Sequence, residues 1–159
     1  GVRIINLYCP QGQSADSEAF AFKKRFYDRL YTWIDTSCTV EQELIVTGDF
    51  NIAPYAVDVY DPVVFENVPT RHPEELSRWS KQLEWGLSDL SEGHLSPGTY
   101  TFWDYRQGSF YKKMGMRIDF ILPTIAMHQG IVTIVVDRNA RKGEKPSDHA
   151  PVVADFSLT

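Results

Sequence analysis

The chain opens on GVRIINLY, a β-rich run from Gly1 to Tyr8 that Pro10 and Gly12 bring to a turn. From about Asp16 to Thr36 the period becomes helical. Phe26, Leu30, Trp33 and Ile34 fall on one face, with Lys23, Lys24, Asp28 and Arg29 among the charged positions around it. Glu43 to Thr47, ELIVT, is apolar on successive positions and ends at Gly48-Asp49, the pattern of a strand covered on both faces. Asn51 to Arg71 has little periodicity and several prolines, which predicts a long ordered loop; loops of that length in compact domains are commonly functional. A second helix is predicted over Pro73 to Trp85, with Pro73 in its first turn and Gly86 just past its end, turning Leu76, Trp79 and Leu83 inward. The remainder reads as strands at Thr99–Tyr105, Arg117–Leu122, Ile131–Val136 and Pro151–Phe156. Strands mixed with two helices predict an α/β layer architecture.

Length and composition keep this picture to one ordinary domain: 159 residues, 43% hydrophobic, enough for a real core. Cys9 and Cys38 stand far apart with no CxxC or Cys/His cluster, which argues against a disulfide framework or a zinc site and predicts two buried thiols in a reducing, cytoplasmic setting. No stretch approaches the roughly 20 apolar residues of a membrane span, and the opening strand is not a charged signal region. Opening on Gly1 inside a strand suggests a segment of a longer domain.

A net charge of -5 runs against a nucleic-acid partner in the sum, but a site for a divalent cation itself requires carboxylates. Basic residues cluster at Lys23–Arg25, at Arg106, Lys112, Lys113 and Arg117, and at Arg138, Arg141, Lys142 and Lys145. Each cluster reads equally as a solvated face or as one turned toward DNA.

The candidate chemistry lies at strand ends. Asp49 and Asn51 follow ELIVTG, Asp119 sits inside RIDFIL, and Asp148 and His149 precede APVVADF. An aspartate in an apolar strand is costly without a partner, so three such positions suggest strands that bring carboxylates together. Oxygen-rich clusters of that kind select hard cations such as magnesium or manganese. Taken singly, Gly48-Asp49 also reads as a turn, Asp119 as the partner of Arg117 or a lysine, and His149 as a structural histidine.

Their order and surroundings change the balance. NLYCPQG, GDFNIAP, DVYDP, YTFWDYR, RIDFIL and KPSDHAPV together resemble the exonuclease III branch of the endonuclease/exonuclease/phosphatase superfamily, which includes bacterial exonuclease III and the AP endonucleases. The resemblance runs from Val2 to Phe156. It implies a DNase I-like four-layer α/β sandwich, two packed sheets flanked by helices, of which residues 1–159 form the C-terminal part. By the same resemblance Asp49 orients and deprotonates the attacking water, and Asn51 beside it helps hold water and phosphate. Tyr8 donates to the phosphate or leaving group, and His149 contacts the scissile phosphate. Asp119 sets the tautomer and charge of His149, and Asp148 lies near the metal. A carboxylate base beside a cation is expected to stay ionised. Gln11 matches a position that holds the DNA backbone. Phe102, Met116 and Ile118 match the walls of a pocket for an extrahelical abasic sugar, while Trp103 reads as an aromatic packing a core.

The implied activity is magnesium-dependent phosphodiester hydrolysis in DNA repair, with manganese as a substitute, on abasic or 3′-blocked duplex, by a protein that is monomeric at full length. The family's N-terminal asparagine and metal-binding glutamate have no counterpart in these residues, so the isolated chain is expected to be inactive. At Lys113 a lysine replaces an asparagine frequent in the family, where it could contact phosphate instead. The alternatives are a superfamily phosphodiesterase acting on a phospholipid, inositol phosphate or RNA, and a non-catalytic DNA-binding fragment.

Overall fold

A computed structural model describes residues 1–128 and 130–157. Among these residues five strands form two sheets. β1 (Arg3–Tyr8), β2 (Leu44–Asp49) and β3 (Asp119–Pro123) pair in that order, β1 parallel and β3 antiparallel to the central β2. β4 (Ile131–Val136) and β5 (Val152–Phe156) form an antiparallel pair that approaches the first sheet through β5 and β3. Two helices, α1 (Glu18–Ser37) and α2 (Pro73–Trp85), pack on each other and cover one face of the larger sheet; a short α3 (Ile125–His128) follows β3. Among the described residues no helix is long and apolar enough to cross a membrane.

The central strand is the ELIVT run, and Leu44, Ile45 and Val46 are buried on both faces as the pattern requires. Its helix-side residues, Leu44 and Val46, join Phe120, Leu122, Phe50, Tyr27, Ile34 and Trp79 in the main core. α2 occupies the predicted residues: Pro73 opens it, His72 Nδ1 accepts from the Glu74 amide at 3.2 Å, and Gly86 ends it at φ 124°. Cys9 and Cys38 are both free and buried.

Three expectations need correction. The inward stripe of α1 is Phe20, Lys23, Tyr27 and Ile34, with Phe26 and Leu30 only partly covered. Trp33 is 42% exposed and lies under the Arg3 guanidinium at 5.2 Å. The helix is rolled this way because Lys23 and Tyr27 reach backbone carbonyls beneath it, a preference that hydrophobicity alone cannot register. Second, Thr99–Tyr105 is not a regular strand. The Met116 carbonyl accepts from both Thr101 and Phe102 amides, each at 2.9 Å, so the ladder loses register and leaves isolated bridges from Phe102 to Met116 and His149. Third, the strand expected from Arg117 begins only at Asp119, because the Arg117 amide is diverted to the Asp58 carbonyl at 2.8 Å.

The long loop from Asn51 to Arg71 contains two single 3₁₀ turns, 56–58 and 69–71, and is pinned by side chains. Arg71 Nη1 donates to the carbonyls of Ala53 and Tyr55 at 2.8 and 2.6 Å, while Tyr27 Oη donates to that of Phe50 at 2.6 Å. Arg117 is buried between Asp58 (2.7 Å) and Asp89 (2.9 Å), so it does not pair with Asp119.

One glycine decides the site end of the sheet. Gly48 has φ 131°, and a Cβ there would lie 1.9 Å from the Leu7 carbonyl oxygen of β1. Gly48→Ala is expected to lower stability by about 3 kcal/mol or more in a urea titration, because both the backbone conformation and the strand pairing oppose it. Gly143→Ala, which meets nothing within 4 Å, is expected to stay within about 0.5 kcal/mol of the parent.

Candidate active site

Strand register assembles the first row of the site. Tyr8 pairs with Asp49 and Asp49 with Asp119, so three neighbouring strands present these residues side by side at one end of the sheet. His149 arrives from the segment before β5, its amide bonded to Ser147 Oγ at 3.1 Å. Its Nδ1 meets Asp119 Oδ2 at 2.9 Å, which makes Nδ1 the protonated nitrogen and leaves Nε2 facing Asp49 Oδ2 at 4.0 Å.

Asn51 closes the row from below. In the left-handed conformation, φ 50°, its amide donates to Asp49 Oδ1 at 2.8 Å. Its Nδ2 donates to Asp49 Oδ2 at 3.0 Å and to the Cys9 carbonyl at 2.8 Å. Both Asp49 oxygens are thus held, and asparagine is one of the few residues that tolerates this backbone geometry.

Burial pushes the Asp49 carboxyl up to about 6; the nearby Asp119 adds to this, and the Asn51 amide and His149 oppose it. A carboxyl at about 6 is still mostly ionised at pH 7, so the ionised base is present at neutral pH, and a nearby cation would extend that range downward. His149 moves upward from the ordinary histidine range, chiefly through its hydrogen bond to Asp119 and against the effect of burial. The ligand atoms of Asp49, Asp119 and His149 lie within 4.8 Å of one another. Asp148 is half-buried beside them; its carbonyl accepts from the Trp103 amide at 2.9 Å, and its charge favours protonated His149.

The remaining predicted site residues surround this cluster. Tyr8 is 67% exposed at the open end of its strand. Gln11 is exposed, and its carbonyl accepts from Lys23 Nζ at 3.2 Å. Phe102 stands edge-on to His149, ring centroids 5.0 Å apart, and with Met116 lines a cavity of about 290 Å³. Ile118 lies beneath this wall, buried with Ala53 and Val59, and is not among the residues facing the cavity. Tyr60 and Phe65, edge-to-face at 5.5 Å, form the cavity's other aromatic side. Sequence reasoning missed them, although aromatics in a long ordered loop were a usable signal. Trp103 packs in the interior as expected.

The basic clusters divide. In the first, Lys23 is fully buried, while Lys24 pairs with Glu74 and the exposed Arg25 with Glu18, so only the last two lie at the surface. Arg106 is engaged by Asp104, and Arg117 and Arg141 are buried; Lys112, Lys113, Lys142 and Lys145 remain exposed.

Residues 4–149 match the model of the Endonuclease/Exonuclease/phosphatase family, and the chain belongs to that family. It is 32% identical to the exodeoxyribonuclease III of Haemophilus influenzae over 96% of the chain and 61% of that protein. It is 28% identical to human DNA-(apurinic or apyrimidinic site) endonuclease 2 over 98% of the chain and 32% of the relative. Among solved structures, an AP endonuclease from Archaeoglobus fulgidus superposes with a TM-score of 0.93 at 36% identity, covering 98% of this chain and 61% of that one. The Neisseria 3′ phosphatase NExo bound to product DNA hairpin gives 0.94 at 37% identity, covering 99% and 62%. The two-sheet arrangement with its helices is thus that of the AP endonuclease fold, and the chain spans about three-fifths of most of these proteins.

Because Asp49 is raised in the folded state, folding takes up a proton between about pH 4 and 6, and stability falls as pH rises through that window. In metal-free buffer Asp49→Asn is therefore expected to be more stable than the parent by about 2 kcal/mol at pH 7.5 and nearly equal to it at pH 4, measured by urea unfolding at both pH values.

Proposed function

We propose that this chain supplies the main catalytic side chains of a DNA-repair phosphodiesterase that cleaves the backbone 5′ to abasic sites and clears blocked 3′ ends. The observation that carries this reading is the convergence of Asp49, Asn51, Asp119 and His149 beside an aromatic-walled cavity. The names of its relatives, exodeoxyribonuclease III and AP endonucleases, support DNA as the substrate.

Asp49, steadied by two hydrogen bonds from Asn51, accepts the proton of the attacking water. His149 gives its Nδ1 proton to the bond with Asp119 and directs a protonated Nε2 at a non-bridging phosphate oxygen. Tyr8 donates to the phosphate or to the departing oxygen, and Gln11 holds the strand backbone. Phe102 and Met116, backed by Ile118, face Tyr60 and Phe65 across a space that suits a sugar without its base.

The carboxylates gathered here suit a hard divalent cation, magnesium with manganese as a substitute, while the imidazole of His149 is engaged by Asp119. Asp148 would hold it, with a glutamate from the family's N-terminal part, so activity belongs to a longer protein and the isolated chain is inactive. Bound there, the cation would neutralise phosphate charge and would keep Asp49 ionised to lower pH. The protein acts as a monomer in a reducing, cytoplasmic setting, in keeping with two free buried thiols.

The naturally encoded protein is expected to nick an abasic-site duplex in magnesium, with EDTA abolishing and manganese restoring the activity. Asp49→Ala should lower kcat by about 10³-fold. Undiminished cleavage by that variant in a gel assay overturns the reading. Phe102→Ala should reduce the preference for abasic over intact DNA by about tenfold while leaving the pH profile of cleavage unchanged.

A further inference from the structure

Lys23 is an unusual residue to find inside this protein. Its side chain and that of Glu75 are both 0% exposed, and Nζ meets Glu75 Oε1 at 2.6 Å. The ammonium also donates to backbone: the Asn51 carbonyl at 2.7 Å and the Gln11 carbonyl at 3.2 Å. The ammonium thus has one charged partner and two carbonyl acceptors. One turn further along α1, Tyr27 holds the carbonyl of Phe50, so a single helix face grips two consecutive carbonyls beneath the site. Above Lys23, Gly12 has φ 94°, and a Cβ there would lie 3.0 Å from Lys23 Cδ, so the Gln11 loop rests directly on the lysine stem.

A buried ion pair is a poor choice where stability alone is needed, since apolar residues of equal volume commonly serve as well or better. What this pair adds is a fixed point shared by two loops. Asn51 needs a left-handed backbone to place its amide and its Nδ2 on the two oxygens of Asp49, and its carbonyl is the group that Lys23 holds.

We propose that Lys23, with Glu75 as its counter-charge, is a positioning residue of the phosphodiesterase site, holding the Asn51 backbone so that Asn51 can orient Asp49 and tying the Gln11 loop to the same anchor. This rests on the functional reading above, but it is tested separately.

Lys23→Met alone would strand a buried carboxylate, so the informative variant is the double replacement Lys23→Met/Glu75→Met in the naturally encoded protein. It is expected to melt within a few degrees of the parent, to lose about 100-fold in kcat on abasic duplex, and to keep KM within about threefold. In an Asn51→Ala background the same replacement should change kcat by less than about threefold, because Lys23 acts through Asn51. An undiminished kcat, or an equal loss in both backgrounds, overturns the proposal. Lys23→Met/Glu75→Gln also leaves no buried charge, and it serves if the double methionine variant does not fold. It should show the same loss of kcat and the same faster exchange of the Asn51 amide, and an undiminished kcat with unchanged exchange overturns the idea. Amide hydrogen exchange supplies a readout independent of activity. The Asn51 amide should exchange at least about tenfold faster in the double variant while β2 amides hold, whether or not the parent cleaves DNA; unchanged Asn51 protection overturns the proposal.

Discussion

The pairing of β2 with a parallel neighbour on one side and an antiparallel neighbour on the other is the constraint on which the site depends. It places Tyr8, Asp49 and Asp119 in one row across the sheet. A shift of one residue in either pairing would turn a carboxylate into the helix-packed core and disperse the row. Gly48 makes the close approach to Leu7 possible, and the buried Leu44 and Val46 lock the register. Once Asp49 and Asp119 are adjacent, His149 has one carboxylate to bond and another to face.

Behind this row the backbone is irregular, and charged or phenolic side chains support it where secondary structure does not. Tyr27, Lys23 and Arg71 hold the carbonyls of Phe50, Asn51, Ala53 and Tyr55, a nearly continuous stretch of loop. Buried carbonyls need donors, and a loop that must stay non-helical has to find them in side chains. Polar interiors of this type give an irregular segment one conformation, at the cost of dehydrating the charges.

Much of this was legible in the letters. The ELIVT run, the Pro73–Trp85 helix with its terminal signals, and the long ordered loop all occur where apolar pattern and turn chemistry place them. Asp49, Asn51, Asp119 and His149 were identified through the motifs that carry the family resemblance, and the folded chain brings those four together. Other features were not legible, each for a physical reason. Lys23 reads as surface because burial of a lysine depends on carbonyl partners 12 and 28 residues away. Thr99–Tyr105 reads as a strand because its alternation is right, but a carbonyl shared by two amides stops the ladder. Arg117 looked like a partner for Asp119, two positions along; strand alternation puts both on one face, but Asp58 and Asp89 are the carboxylates that reach it.

That arginine has a consequence for the cavity beside it. Arg117 follows Met116 directly, and its guanidinium is held between carboxylates from two separate loops, one of which also leads to Tyr60. Widening the cavity by sliding these walls apart would separate a dehydrated cation from its anions, a far stiffer restraint than contact between apolar side chains. The Tyr60 and Met116 side of the cavity is therefore anchored by buried charge, a restraint that the exposed Arg106 and Gln107 on its other side do not share.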